Sequence, residues 1–299
     1  MPQGAIRIMG KWSRDEGESW SEPFVVRECA GVPNAMEASF LRLRSGRVLM
    51  EYMQRDTYVA GGDSQAGMYP MITHSDDECV TWSEPSPITG DENIYFSTND
   101  RLLPLRTGRI VLPVLTGPDL TSVRVWFSDD EGATWGKGAA AIEASEGVRY
   151  GYPIAAELVD GRVAMFLVNS TGRIHVAHSE DGGDTWSPVV ESGPEPCPAT
   201  FMVRRLPESQ DLLLIWNNHT QRVNLTAAVS RDSGETWADY RLLVPQERWP
   251  ARRTLCFPSV AFLNGCAHMT WYASRPHPDT GAMFDLIYRR VPVSWFYGQ

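Results

Sequence analysis

The chain has 299 residues, with 27 Lys and Arg against 37 Asp and Glu, a formal net charge of −10 and a pI near 5.1. That balance excludes a nucleic-acid binder, whose ligand demands a basic surface, and no apolar run approaches the length of a membrane-spanning helix. The five cysteines, Cys29, Cys79, Cys197, Cys256 and Cys266, are odd in number and lack metal-ligand spacing, so reduced thiols are expected, with no metal and no cofactor.

Residues 1–28 give one strand around Ala5 to Lys11, then Ser13-Arg14-Asp15-Glu16-Gly17-Glu18-Ser19-Trp20, then a strand around Pro23 to Arg27. The eight-residue phrase returns at Ser75–Trp82, Ser128–Trp135, Ser179–Trp186 and Ser230–Trp237, its tryptophans 62, 53, 51 and 51 residues apart. A period near 50 with one tight turn per unit points to a propeller or a solenoid. In each copy an Asp can accept from backbone N–H groups just ahead of it, and the Gly two places on supplies positive φ. The second copy has Cys79 where the others have Gly, so its turn is either strained or relaxed into another geometry. Asp15, Asp77, Asp130, Asp181 and Asp232 are read as turn-forming residues, because one or two carboxylates per turn fall short of the roughly six to eight oxygens calcium takes.

Upstream of four of the turns lies an apolar strand, a small turn and a second apolar strand, as in Phe40–Met50, Leu103–Leu112 and Ala156–Met165. Continuous apolar runs predict strands buried on both faces, whereas the strand before each turn alternates. Each unit therefore reads as four antiparallel strands, and no stretch shows the apolar spacing of a long helix. Complete units run over about 34–90, 98–144, 152–192, 199–245 and 255–297, while 1–28 holds only the outer half of another. The expectation is an all-β, six-bladed β-propeller forming a single domain over 1–299, its first blade incomplete. Either the segment Val291 to Tyr297 fills the gap or an N-terminal piece is lost, and loss is favoured. Without a leader peptide the chain reads as cytoplasmic, or as secreted or periplasmic if an N-terminal segment precedes it.

These repeated turns, with phrases such as Asn99-Asp100-Arg101-Leu102-Leu103-Pro104 and Leu212-Leu213-Leu214-Ile215-Trp216-Asn217-Asn218, resemble the bacterial sialidase-like proteins with BNR or Asp-box repeats, across essentially the whole chain. The resemblance implies the six-bladed sialidase fold, with the Asp-box turns on the rim away from the pocket. It also implies three arginines on a substrate carboxylate, a Tyr nucleophile assisted by a Glu, and an Asp as acid/base. The first arginine belongs to the missing inner strand. Tyr152 stands where the Glu is expected, Val168-Asn169 where the second arginine is expected, and Leu255-Cys256-Phe257 where the Tyr is expected. A standard sialidase mechanism is therefore not expected.

A pocket on the propeller axis would draw on the start of each first strand and the end of each second one. That rule selects Glu37, Glu51, Arg55 and Asp56, then Asn99, Asp100 and Arg101, then Arg149, Tyr150 and Tyr152, then Asn217, Asn218 and His219, and last Phe257, Tyr272 and Arg275. Glu37 is the first candidate acid/base, since a carboxylate entering an apolar inner strand is costly without a purpose, and Asp100 is the second. Arg55, Arg101, Tyr152, Asn217, Asn218, His219 and Arg275 are the candidate substrate-binding residues; ion pairing between neighbouring blades is the competing reading for Glu51, Arg55, Asp100 and Arg101. His175 and His178 lie three apart on a strand, on opposite faces, and are not a metal pair. Two function classes stay open. One is a glycoside hydrolase acting on an acidic or deoxy sugar with non-standard catalytic residues. The other is a non-catalytic propeller that binds glycans or a protein.

Overall fold

The computed structural model describes residues 7–28, 34–55, 68–89, 95–96, 100–116, 120–170, 172–196, 199–244, 254–278 and 281–298. Among them the fold is all-β and propeller-like, and the helical element is a 3-10 turn at Val293–Tyr297. No helix among the described residues is long and apolar enough to cross a membrane. The chain forms two compact units, residues 1–147 with 181–185 and residues 148–180 with 186–299.

The first unit opens on a two-stranded sheet, β1 (Ile8–Gly10) with β2 (Phe24–Arg27). Next comes a four-stranded sheet in the order β3 (Asn34–Arg42), β4 (Val48–Arg55), β5 (Met68–Ser75) and β6 (Ser86–Pro87). A third sheet contains β7 (Tyr95–Phe96), β8 (Leu103–Pro104), β9 (Ile110–Thr116), β10 (Ser122–Ser128), β11 (Gly136–Lys137) and β12 (Ile142–Glu143). Both β7 and β8 pair with β9, and both β11 and β12 pair with β10.

Two four-stranded sheets begin the second unit. One is β13 (Tyr150–Glu157), β14 (Val163–Asn169), β15 (Ile174–Ser179) and β16 (Val190–Glu191). The other is β17 (Met202–Arg205), β18 (Leu212–Asn217), β19 (Leu225–Ser230) and β20 (Ala238–Val244). The last sheet has three strands, β21 (Leu255–Leu263), β22 (Cys266–His277) and β23 (Gly281–Pro292).

The count corrects the sequence expectation: among the described residues there are five blades, not six. Ile8–Arg27 forms an outer hairpin without inner strands, and its Ile8 and Val26 lean on the Met50, Tyr52 and Met71 core of the following sheet. The last blade also differs from its expected four strands, because β22 and β23 each run twelve residues. Val291–Tyr297, considered above as filler for the first blade, packs against β19 and β20 with Phe296 buried. The inner strands are as expected: β9 and β18 are buried throughout, and β14 is nearly so, as continuous apolar runs require. The strand before the turn alternates in β10 and β15, but β19, all small or apolar, is buried along its whole length.

The five Asp-box turns share one hydrogen-bond pattern. In the second, Ser75 Oγ donates to Asp77 (2.8 Å), Cys79 N donates to Ser75 Oγ (2.9 Å), and Thr81 gives its N–H and hydroxyl to the two Asp77 oxygens (2.8 and 2.5 Å). Asp15, Asp130, Asp181 and Asp232 accept from the equivalent Ser or Thr in the same way. These bonds favour the ionised carboxylate: the Ser19 hydroxyl and N–H bring Asp15 down to about 2, and Thr81 does the same for Asp77. Burial pushes Asp232 upward, but the Thr236 and Ser230 bonds outweigh it. The fourth and fifth residues of each turn are both left-handed, and Cys79 at φ +65° keeps that geometry instead of relaxing. A serine just past the tryptophan adds a bond that sequence reading missed: Ser21, Ser83 and Ser187 accept from the backbone N–H of Trp12, His74 and His178. Of the turn tryptophans, Trp20 in the isolated hairpin is half exposed.

Candidate functional site

Strand register fixes where chemistry can sit. In four sheets the second strand begins opposite an Asp-box serine: Val48 pairs with Ser75, Ile110 with Ser128, Val163 with Ser179 and Leu212 with Ser230. Its other end lies beside the start of the first strand, about 17–24 Å away for strands of six to eight residues. There the first strands are irregular. Register shifts occur between Met36 and Ser39, between Gly151 and Ile154, and between Cys256 and Ser259, while β7 and β8 are separate strands on β9. At each irregularity stands a non-glycine residue with positive φ: Glu37 (61°), Asp100 (60°), Tyr152 (54°) and Phe257 (54°). A side chain in this region costs about 1–2 kcal/mol, and bulges re-aim side chains at functional positions. No sequence signal marked the strain, although the positional rule reached Glu37, Asp100, Tyr152 and Phe257.

In the first unit the irregularities of β3 and of the third sheet converge on Ser39. Ser39 is buried, lies two residues from Glu37, and pairs directly with the buried Glu51 on β4. Its Oγ accepts the N–H of Arg101 at 3.0 Å, which brings Asp100 to the same place. Glu37 and Asp100 are half-buried, whereas Arg101 is 1% exposed and Glu51 0% exposed. Arg101, a substrate-binding candidate from sequence, is therefore an interior guanidinium. Buried charges persist only where hydrogen-bonded or paired. Arg55 ends β4 opposite Asn34, and its side chain lies outside the described residues.

In the second unit Asn217 is 1% exposed, and its amide donates to the carbonyls of Val223 (3.2 Å) and Leu255 (3.1 Å). It therefore braces the β18–β19 loop against β21. Asn218 is exposed, and the half-buried His219 uses Nδ1 to accept from Gln221 N (3.0 Å). Arg275 is held by Asp285 at 2.9 Å. Tyr152 Oη accepts from Arg222 Nη2 at 3.4 Å, and Phe257 N donates to Thr200 Oγ1 at 2.7 Å. The Phe257 and Tyr272 rings meet edge to face at 5.9 Å. Arg222 and Thr200 went unnoticed in the sequence because their roles depend on loop contacts. Among the described residues no group of three or more His, Cys, Asp or Glu is arranged to hold a metal ion.

Comparison with solved structures places this fold among known ones. A protein of unknown function from Dyadobacter fermentans superposes with a TM-score of 0.72 at 17% identity, over 94% of this chain and 83% of its own. A Hadza microbial sialidase gives 0.76 at 17% identity, over 97% of this chain and 60% of its own. Trypanosoma rangeli sialidase in complex with 2,3-difluorosialic acid, a covalent intermediate, gives 0.71 at 12% identity, over 96% and 49%. The chain thus spans about half to three-fifths of the length of these two sialidases, and at such identity the likeness concerns the fold. The family model of the BNR repeat-like domain matches residues 3–269. With the repeated turns and the propeller-like sheets, that match makes the chain a member of the sialidase-like BNR repeat family.

Proposed function

We propose that the protein is a sialidase-related carbohydrate-active enzyme, a glycoside hydrolase acting on an acidic or deoxy sugar, with Glu37 and Asp100 as its acid/base carboxylates. The observation that carries this reading is the pair of strained carboxylates beside Ser39, at the sheet ends away from the Asp boxes. Strain of this kind persists where the surrounding structure over-determines it, and a pair of carboxylates is what glycosidic cleavage commonly requires. One group protonates the leaving oxygen, and the other activates water or stabilises the developing oxocarbenium charge. The fold neighbour crystallised with 2,3-difluorosialic acid supports a sugar as the substrate.

A panel of aryl glycosides, including a sialoside, uronides and a rhamnoside, tests the reading. Turnover lost in both Glu37→Gln and Asp100→Asn, with the thermal midpoint retained, supports it; full turnover in either variant removes that residue from the mechanism. Phe257 favours a second reading, a non-catalytic glycan-binding propeller. It carries no hydroxyl at the position where the family resemblance implies a tyrosine. Glycan binding with no turnover on any member of the panel would decide for it.

A further inference from the structure

We infer that the outer edge of the last blade, strand β23 (Gly281–Pro292), is where a second copy of this chain docks. In each of the other four blades the strand leading into the Asp box carries a further strand: β6 lies on β5, β11 and β12 on β10, β16 on β15, and β20 on β19. Among the described residues β23 pairs with β22 alone, so one side of a twelve-residue strand faces no neighbouring strand. Such an edge is a template for another chain unless it is short, bulged, covered or charged along its length. β23 is long, and its register with β22 runs without a shift from Cys266 opposite Pro292 to His277 opposite Gly281. Nor is its first half covered: Phe284 is 61% and Leu286 65% exposed. Leu286 stands directly opposite Tyr272, 43% exposed on the same face, and the Tyr272 ring meets Phe257 edge to face. A continuous apolar surface beside an open edge marks an interaction site.

The charges along the strand select the occupant. Asp285 stands towards one end of β23, and Arg289 and Arg290 towards the other. A second copy lying parallel and in register would set arginine beside arginine. An antiparallel copy, related by a two-fold axis at Ile287, instead sets Asp285 opposite the copy's Arg289. The same register sets Phe284 opposite the copy's Arg290 and Leu286 opposite the copy's Tyr288, while Ile287 meets itself. A ring under a guanidinium, an apolar pair and an ion pair are all favourable across strands, and no like charges oppose. Asp285 already accepts from Arg275 Nε at 2.9 Å, but it is only half-buried, and a carboxylate has lone pairs for a second cation. A two-fold contact uses one patch twice and closes on itself, so the product is a dimer and not a fibre.

The test is sedimentation equilibrium of the full chain over about 1–100 μM, the range of modest self-association. The mass should rise from 33.4 kDa towards twice that value, and hydrogen exchange at the β23 amides should slow as the concentration rises. Leu286→Lys should weaken the dimer about tenfold or more, because the change enters a two-fold interface twice. Phe284→Lys should weaken it more than Phe284→Glu, since lysine would face the copy's Arg290 and glutamate would pair with it. Leu242→Lys, at an exposed position on β20, is the control and should leave the dimer as it was. Unchanged thermal unfolding excludes a folding defect in each variant. A mass of 33.4 kDa at every concentration overturns the assignment, even if the patch binds sugars or lipid vesicles. So does a dimer that survives Leu286→Lys, one lost equally in Leu242→Lys, or one that treats Phe284→Lys and Phe284→Glu alike. Glycosidase activity, present or absent, does not bear on these outcomes.

Discussion

Replacing Cys79 by glycine should stabilise the protein, and the other four turns give the reason. At the fifth position of the Asp box, Gly17, Gly132, Gly183 and Gly234 have φ between 87° and 101°, while Cys79 sits at 65° in the same hydrogen-bonded frame. A side chain there costs about 1–2 kcal/mol, and glycine returns about 0.5–1 kcal/mol of that through the greater freedom of the unfolded chain. The Cys79 thiol is only half-buried, so little apolar contact is lost. The net expectation is a gain of about 0.5–1 kcal/mol, or about 1–4 °C in the melting temperature of a unit of this size. Urea unfolding followed by tryptophan fluorescence reads it directly. The matched control is Gly132→Ala. Its added Cβ would come within 2.9 Å of Leu49 Cδ1, and Leu49 is 2% exposed, so strain and overpacking act together for a loss of about 2 kcal/mol. A Cys79→Gly variant with a lower urea midpoint than the parent would refute the reasoning, since it would mean that the thiol's contacts outweigh the backbone cost.

The turn carboxylates predict an acid limit. Asp15 and Asp77 titrate near 2 in the fold against the usual 3.8, so their stabilising effect is full above about pH 4 and lost as pH falls towards 2; carboxyl carbon shifts followed by NMR should show it, and midpoints near 4 would contradict it. Arg109 donates to both Asp129 oxygens (2.8 and 2.9 Å), reaches Asp184 (3.2 Å) and lies 4.0 Å from the Phe127 ring centre. Because Asp129 is largely exposed, a double-mutant cycle of Arg109→Ala with Asp129→Ala should give a coupling of only about 0.5–1 kcal/mol, and a value near zero would leave the pair without energetic weight. Asn217→Ala removes two buried hydrogen bonds and should cost about 2 kcal/mol in urea unfolding, together with faster hydrogen exchange at the Leu255 amide.

Much of the architecture follows from short-range chemistry that a sequence states openly. Ser, Asp, Gly and Thr at fixed offsets close a turn through bonds no longer than four residues, so Asp15, Asp77, Asp130, Asp181 and Asp232 were legible as turn residues one by one. Apolar runs such as Ile110–Thr116 announce burial on both faces for the same reason. The blade count was less legible: a hairpin's outer half looks alike whether or not inner strands accompany it, and only the packing of Ile8 and Val26 on a neighbouring sheet distinguishes the two.

The site divides along the same line. Residue type and position along the strand nominated Glu37, Asp100 and Tyr152, because inner-strand ends are countable from the repeat. Arg101 and Asn217 have side chains suited to ligands, yet the tertiary structure buries both, against Ser39 and the Leu255 carbonyl, partners far from them in sequence. Arg222 gained significance only through a partner far away in the chain, Tyr152, whereas Phe257 was countable from the repeat and only its contact with Thr200 was not. By itself the sequence determined the repeat, the turn chemistry and the buried strands, all of which rest on contacts within a few residues. The tertiary structure alone decided how many blades exist, which backbone positions are strained and which charges face inward, because each depends on strands brought together across tens of residues.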